Sequence, residues 1–322
     1  MALYSARTAL LGNLIDYAGT FPPAALPLDK AMQELVAFRK SARFPWLLAK
    51  TVVTIADLSK LSPRAWVEAG SDGTPLPLTV IGSPVEKRED LARHVAFELR
   101  EIRRFNEKYM DGSQRQQVLA YETRLPENLN ADAIEATLAE ALNGALNENV
   151  LGLDVYFEVS LEGEWQTRLA RATHALSEWI EEKRATVGLP GIKVRTGGKF
   201  FPSAEQLADV VTVCTTHGLR FKATQGLHHA ISRPKEYGFV NLFGAFAFAG
   251  VLGVETFDPD AIAACLKEAD PSAFKFQGKT FAWKKFEIEA EQIEAARRRH
   301  AGTFGSCSLA EPDAFLAEEF PE

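Results

Sequence analysis

Residues 191–226 read GIKVRTGGKFFPSAEQLADVVTVCTTHGLRFKATQG, and this stretch decides the fold. Two short runs, GIKVRTGG (191–198) and LRFKATQG (219–226), are rich in residues that favour extended chain, and both end in polar residues and glycine. Between them, SAEQLADVVTVCTTHG (203–218) reads as a helix. Ser203 and Gln206 stand in capping-box positions, and Gly218 supplies a C-terminal stop. Strand, helix, strand in this order is the building unit of a parallel sheet.

The same rhythm runs outward along the chain. Further strand-like runs are NLIDYAG (13–19), WLLAKTVVT (46–54), LPLTVIG (76–82), QVLAYET (117–123), LDVYFEVS (153–160) and AGTFGSCS (301–308). Helical spacing of apolar residues marks 27–42, 86–110, 130–146 and 164–185. About eight such units predict a single (β/α)8 TIM-type barrel over residues 1–322, the alternative being an open doubly wound sheet. One segment exceeds what a single helix needs. Residues 257–299 predict a hairpin-plus-helix insertion between strands 7 and 8, with AFKFQGKTFAWKKFEI (273–288) turning at Gln-Gly-Lys. No GxGxxG follows the first strand and no GKS or GKT occurs, so neither dinucleotide nor P-loop nucleotide binding is expected.

Composition narrows the function. The 322 residues carry a net charge of −7 with no basic tract, which argues against a nucleic-acid partner. Cys214, Cys265 and Cys307 are far apart and form no CxxC, pointing to a reduced compartment without structural zinc. The N-terminal residues lack the pattern of a signal peptide. GFVNLFGAFAFAGVLGV (238–254) is barely long enough for a bilayer and contains Asn241 and four glycines. It reads as a helix buried against the sheet or, failing that, as a subunit interface in a homo-oligomer. The expectation is a cytoplasmic protein with a small-molecule partner, no membrane partner and no cofactor or metal.

Barrel enzymes place working residues at the C-terminal ends of strands. Lys193 and Arg195 are two apart and share a strand face, as do Lys222 and Thr224. Glu122 and Glu158, at the ends of two preceding strands, would supply counter-charge. The lysines are either an ionic layer or a site. In a site, neighbouring cations and desolvation would depress a lysine pKa and make a Schiff-base nucleophile, or all three cations would hold an anionic substrate. His228 and His229 end the seventh strand region, where at least one is expected to face the pocket as an acid or base. Asp16 precedes the stiff loop with Pro22 and Pro23, which is either a rigid lead into the next helix or a loop that puts Asp16 at the pocket mouth to bind substrate.

GIKVRTGG, RFKATQGL and TFGSCSL resemble the last three strands of class I aldolase barrels of the deoxyribose-phosphate aldolase family, and LDVYFEVSL echoes that family's strand five. The resemblance implies that Lys193 is the Schiff-base lysine, that Lys222 is the second lysine depressing its pKa, and that Gly226, Gly305 and Ser306 fall in a phosphate-binding region. The resulting expectation is a lyase or isomerase for a small anionic carbonyl compound, phosphorylated or not. Lys193, Lys222, Glu158 and His228 would be catalytic. Asp16, Glu122, Arg195, Thr224, Gly226, His229, Gly305 and Ser306 would bind substrate. Two other readings stay open: a metal-assisted barrel enzyme using His228 or His229 with Glu122 and Glu158, and a non-catalytic barrel that binds a ligand or partner through its inserted hairpin.

Overall fold

A computed structural model describes residues 4–109, 116–126, 129–148, 152–183 and 190–321. Met110, Arg184 and Ala185, at the ends of two expected helices, lie outside the described residues. The eight strand-like runs become β1 (Ile15–Tyr17), β2 (Leu48–Thr54), β3 (Leu76–Ile81), β4 (Gln116–Arg124), β5 (Asp154–Glu158), β6 (Pro190–Arg195), β7 (Arg220–Thr224) and, after an insertion with three further strands, β11 (Ala301–Ser306). They form a closed barrel in the order β1-β11-β7-β6-β5-β4-β3-β2. The registered pairs β2–β3, β3–β4, β4–β5, β5–β6 and β7–β11 are all parallel. This is the barrel that the alternation of strand and helix predicts, not an open sheet.

Local chemistry explains the elements. The helix Ala204–His217 is closed by the expected capping box, with Ser203 Oγ accepting from Gln206 N and the Gln206 side chain accepting from Ser203 N. Gly218 ends it at φ +68°, a left-handed conformation that costs glycine nothing sterically. Strand β4 has a bulge where the β3 pairing steps from Leu78–Val118 to Thr79–Ala120. The Asn106 side chain serves the backbone there, donating from Nδ2 to Val118 O at 3.0 Å and accepting from Val118 N at 2.8 Å.

The chain parts into two compact units. One consists of Met1–Asp16, Phe38–Ala49 and Arg195–Glu322, the other of Tyr17–Ala37 and Lys50–Val194. The first holds the insertion. Its apolar run forms the helix Phe239–Leu252, buried over Phe239–Ala249. Asn241 is fully buried within it and fully used: Oδ1 accepts from Ser232 N, and Nδ2 donates to Cys265 O and Glu268 O, each at 2.8 Å. The expected hairpin gains a third strand. β8 (Phe274–Gln277), β9 (Thr280–Trp283) and β10 (Phe286–Glu289) pair antiparallel in the order β10-β9-β8. Gly278 at φ +59° makes the first turn and Lys284 at φ +51° lies in the second. Phe248 of the apolar helix stacks on Phe281 of β9 at 5.1 Å, so helix and small sheet share one aromatic core. No helix among the described residues is long and apolar enough to cross a membrane.

Candidate functional site

Three successive strand ends in the second unit carry one row of charge. Arg124 of β4 is the register partner of Glu158 of β5, and Glu158 is the register partner of Lys193 of β6. Directly opposed residues on neighbouring strands are close enough for their side chains to meet. Here the row alternates cation, anion, cation. Glu158 divides its carboxylate: Oε2 lies 3.0 Å from Lys193 Nζ, and Oε1 accepts from Arg124 Nε at 3.1 Å. Glu122, two residues before Arg124, adds a second carboxylate to Lys193 at 2.8 Å.

Burial grades this network. The Lys193 and Glu122 side chains are buried, Glu158 keeps 10% of its side-chain surface, and Arg124 keeps 46%. The chain Glu122–Lys193–Glu158–Arg124 therefore runs from the interior to solvent. Burial alone would lower the Lys193 pKa, yet the charges of Glu122 and Glu158 and their hydrogen bonds outweigh it and hold the pKa above the usual lysine range. This is opposite to the depression expected of a Schiff-base nucleophile. The cause is that Lys193 is flanked by two carboxylates.

The first unit holds the remaining expected residues. Lys222 pairs with Asp16, and both are buried, at 1% and 0% exposure. Asp16 was expected at a pocket mouth and instead lies inside as the counter-ion of Lys222. His228 and His229 turn to separate carboxylates. His228 Nδ1 lies 2.6 Å from Glu311 Oε2, whereas His229 Nδ1 lies 3.0 Å from Glu236 Oε2. His229 also stacks on Phe315 at 3.8 Å. Glu236 further accepts from His228 N at 2.8 Å, so this loop is anchored by a carboxylate that sequence reasoning passed over. Among the described residues no group of three or more His, Cys, Asp or Glu side chains is placed to hold a metal ion.

Around them the strand ends are tightly joined. Thr196 N donates to Thr224 O at 2.9 Å and Thr196 Oγ1 to Gln225 O at 2.6 Å. Gly226 adopts φ +79° between Gln225 and Leu227, which are also left-handed. A side chain on Gly197 would press on the Gln225–Gly226 backbone at 3.3 Å. Gly305 packs beside the Thr224 hydroxyl, and Ser306 Oγ donates to Ser308 O at 2.6 Å. Arg195 is partly exposed at the end of β6. The helix Ala310–Glu319 that follows β11 carries Glu311 and Asp313 in its first turn, where negative charge suits the positive end of the helix dipole.

Arg124 is the residue the sequence reading missed. Its signal was the ending YETR: alternation puts Arg124 on the face of Glu122, one step beyond the last residue assigned to the strand.

The chain matches no protein-family model and no curated protein. Among solved structures it is similar to proline utilization A (PutA) from Bdellovibrio bacteriovorus inactivated by N-propargylglycine, at 11% identity and a TM-score of 0.37. The likeness covers 83% of this chain and 33% of that one, so the chain spans about a third of that protein's length.

Proposed function

We propose that this barrel is a lyase or isomerase that moves a proton at the carbon beside the carbonyl of a small anionic compound. The observation that carries the reading is the divided carboxylate of Glu158, with one oxygen on Lys193, the other on Arg124, and a remnant of solvent access. Arg124, nearly half exposed, presents a planar guanidinium to a substrate carboxylate or phosphate. Glu158, once Arg124 turns to the substrate, accepts the proton from the carbon. Lys193 stays protonated and donates to the carbonyl oxygen, stabilising the negative charge that develops there. The proton on Glu158 then returns at the former carbonyl carbon of a hydroxyketone, whose hydroxyl proton passes to the enolate oxygen as the new carbonyl forms, or it leaves with a departing group in an elimination. Glu122 holds Lys193 charged and aimed.

A Schiff base at the same lysine requires the neutral amine. At an ordinary lysine pKa roughly one side chain in two to three thousand is neutral at pH 7, and a raised pKa lowers that fraction further. The cationic role is therefore the one this geometry favours. The test is solvent exchange. A panel of small 2-oxo acids, hydroxyketones and phosphorylated ketones is incubated with the protein in heavy water and followed by proton NMR. Loss of a signal beside the carbonyl is expected for at least one compound class, and Glu158→Gln should abolish it. Absence of exchange across the panel, or exchange that survives Glu158→Gln, overturns the reading.

A further inference from the structure

Outside the barrel's polar row lies a carboxylate that packing does not call for. The helix Arg88–Tyr109 buries Leu91, Val95, Leu99 and Ile102, and Glu98 is buried among them. An ionised carboxylate in such surroundings is costly unless hydrogen bonds compensate it. Glu98 has two. Its Oε1 accepts from Ser83 N at 2.9 Å, and its Oε2 accepts from Tyr121 OH at 2.6 Å. Gly82 lies directly over this contact: a Cβ there would stand 2.4 Å from Glu98 Oε2 and 2.5 Å from the Tyr121 hydroxyl. Gly82 N in turn donates to Glu122 O at 2.8 Å. Burial, then the charge and hydrogen bond of Glu98, push the Tyr121 hydroxyl well above its ordinary pKa, which keeps it a donor.

These bonds close a ring. Glu98 holds Ser83 and Tyr121, Gly82 holds the carbonyl of Glu122, and residues 82–83 and 121–122 are each consecutive in the chain. Along β4 the side chains alternate, so Tyr121 reaches Glu98 on one face while Glu122 reaches Lys193 on the other. We infer that Glu98 is a positioning residue for the Lys193 site, fixing the 121–122 segment of β4 and with it the direction of the carboxylate that holds the Lys193 ammonium. Its bearing on catalysis rests on the reading given under Proposed function; its effect on Lys193 does not.

The test reads the lysine ammonium groups of the full chain by proton–nitrogen NMR, without substrate. Lys193→Met and Lys222→Met assign the two buried signals. In the unaltered protein the Lys193 ammonium should exchange its protons slowly at neutral pH. Glu98→Gln keeps the side-chain shape but cannot accept from both Ser83 and Tyr121. It should shift the Lys193 signal and speed its exchange about tenfold, the equivalent of one pKa unit, while the Lys222 signal stays in place. Tyr121→Phe, which removes one hydroxyl, should do the same and decides the matter if Glu98→Gln does not fold. A lower melting temperature with an unmoved Lys193 signal would overturn the inference and leave Glu98 a structural residue. So would a Lys193 ammonium that already exchanges fast in the unaltered protein. If Lys193 responds but no carbonyl exchange is found, the catalytic reading falls and the positioning stands. If carbonyl exchange is found and Lys193 does not respond, the positioning falls alone.

Discussion

At the scale of single residues, the two buried lysines differ in what surrounds them, and that difference sets what their removal does. Lys193 holds Glu122 and shares Glu158 with Arg124. Lys193→Met takes an ammonium away from a buried carboxylate and should destabilise the fold by about 3 kcal/mol or more. Adding Glu122→Gln should return a large part of that loss, because the uncompensated charge goes with it. Urea unfolding of the single and double variants measures both. His300 gives a pH test. Burial, then the neighbouring Arg299, lowers its pKa to about 4, while its Nδ1 lies 3.2 Å from Cys214 O. An unfolded histidine titrates near 6.5. Between those values the unfolded chain binds the proton and the folded chain does not, so stability rises with pH across that window. Acidification from about 6.5 to about 4 should cost roughly 3 kcal/mol from this group. His300→Phe should flatten that part of the profile, as followed by urea midpoints at several pH values.

At the scale of elements, most of the barrel was legible because strand and helix differ in period and because the ends carry chemical marks. GIKVRTGG, SAEQ and Gly218 marked β6 and the helix after it. The insertion was legible only in part. AFKFQGKTFAWKKFEI showed its first turn through Gly278, but the second turn contains Lys284 at φ +51°, a residue with no preference that announces it. The site was less legible still. Lys193, Glu158 and Glu122 were found together, but which carboxylate meets which cation depends on register, and register is not written in any one strand. That is why Asp16, 206 positions away from Lys222 in sequence, reads as a loop-mouth residue when it is the partner of that lysine. Asn241 tests the element-level account. Asn241→Leu would leave Ser232 N and the carbonyls of Cys265 and Glu268 without this partner inside an apolar helix contact. A loss of about 2–4 kcal/mol is expected on that basis. Retained stability in thermal unfolding would show that the apolar faces alone dock the helix.

At the scale of the molecule, the closed ring of parallel strands brings the ends of β4, β5 and β6 side by side, and the charges there form one graded chain from interior to solvent. Under the proposed function, Lys193 works as a held cation beside a proton-accepting Glu158. Borohydride treatment in the presence of the carbonyl panel, followed by peptide mass spectrometry, tests this most directly. If two carboxylates hold Lys193 as a cation in the proposed role, the peptide carrying it should keep its unmodified mass with every carbonyl, including any that exchanges protons with heavy water. A reduced adduct on Lys193 would contradict the account and make the lysine a covalent nucleophile.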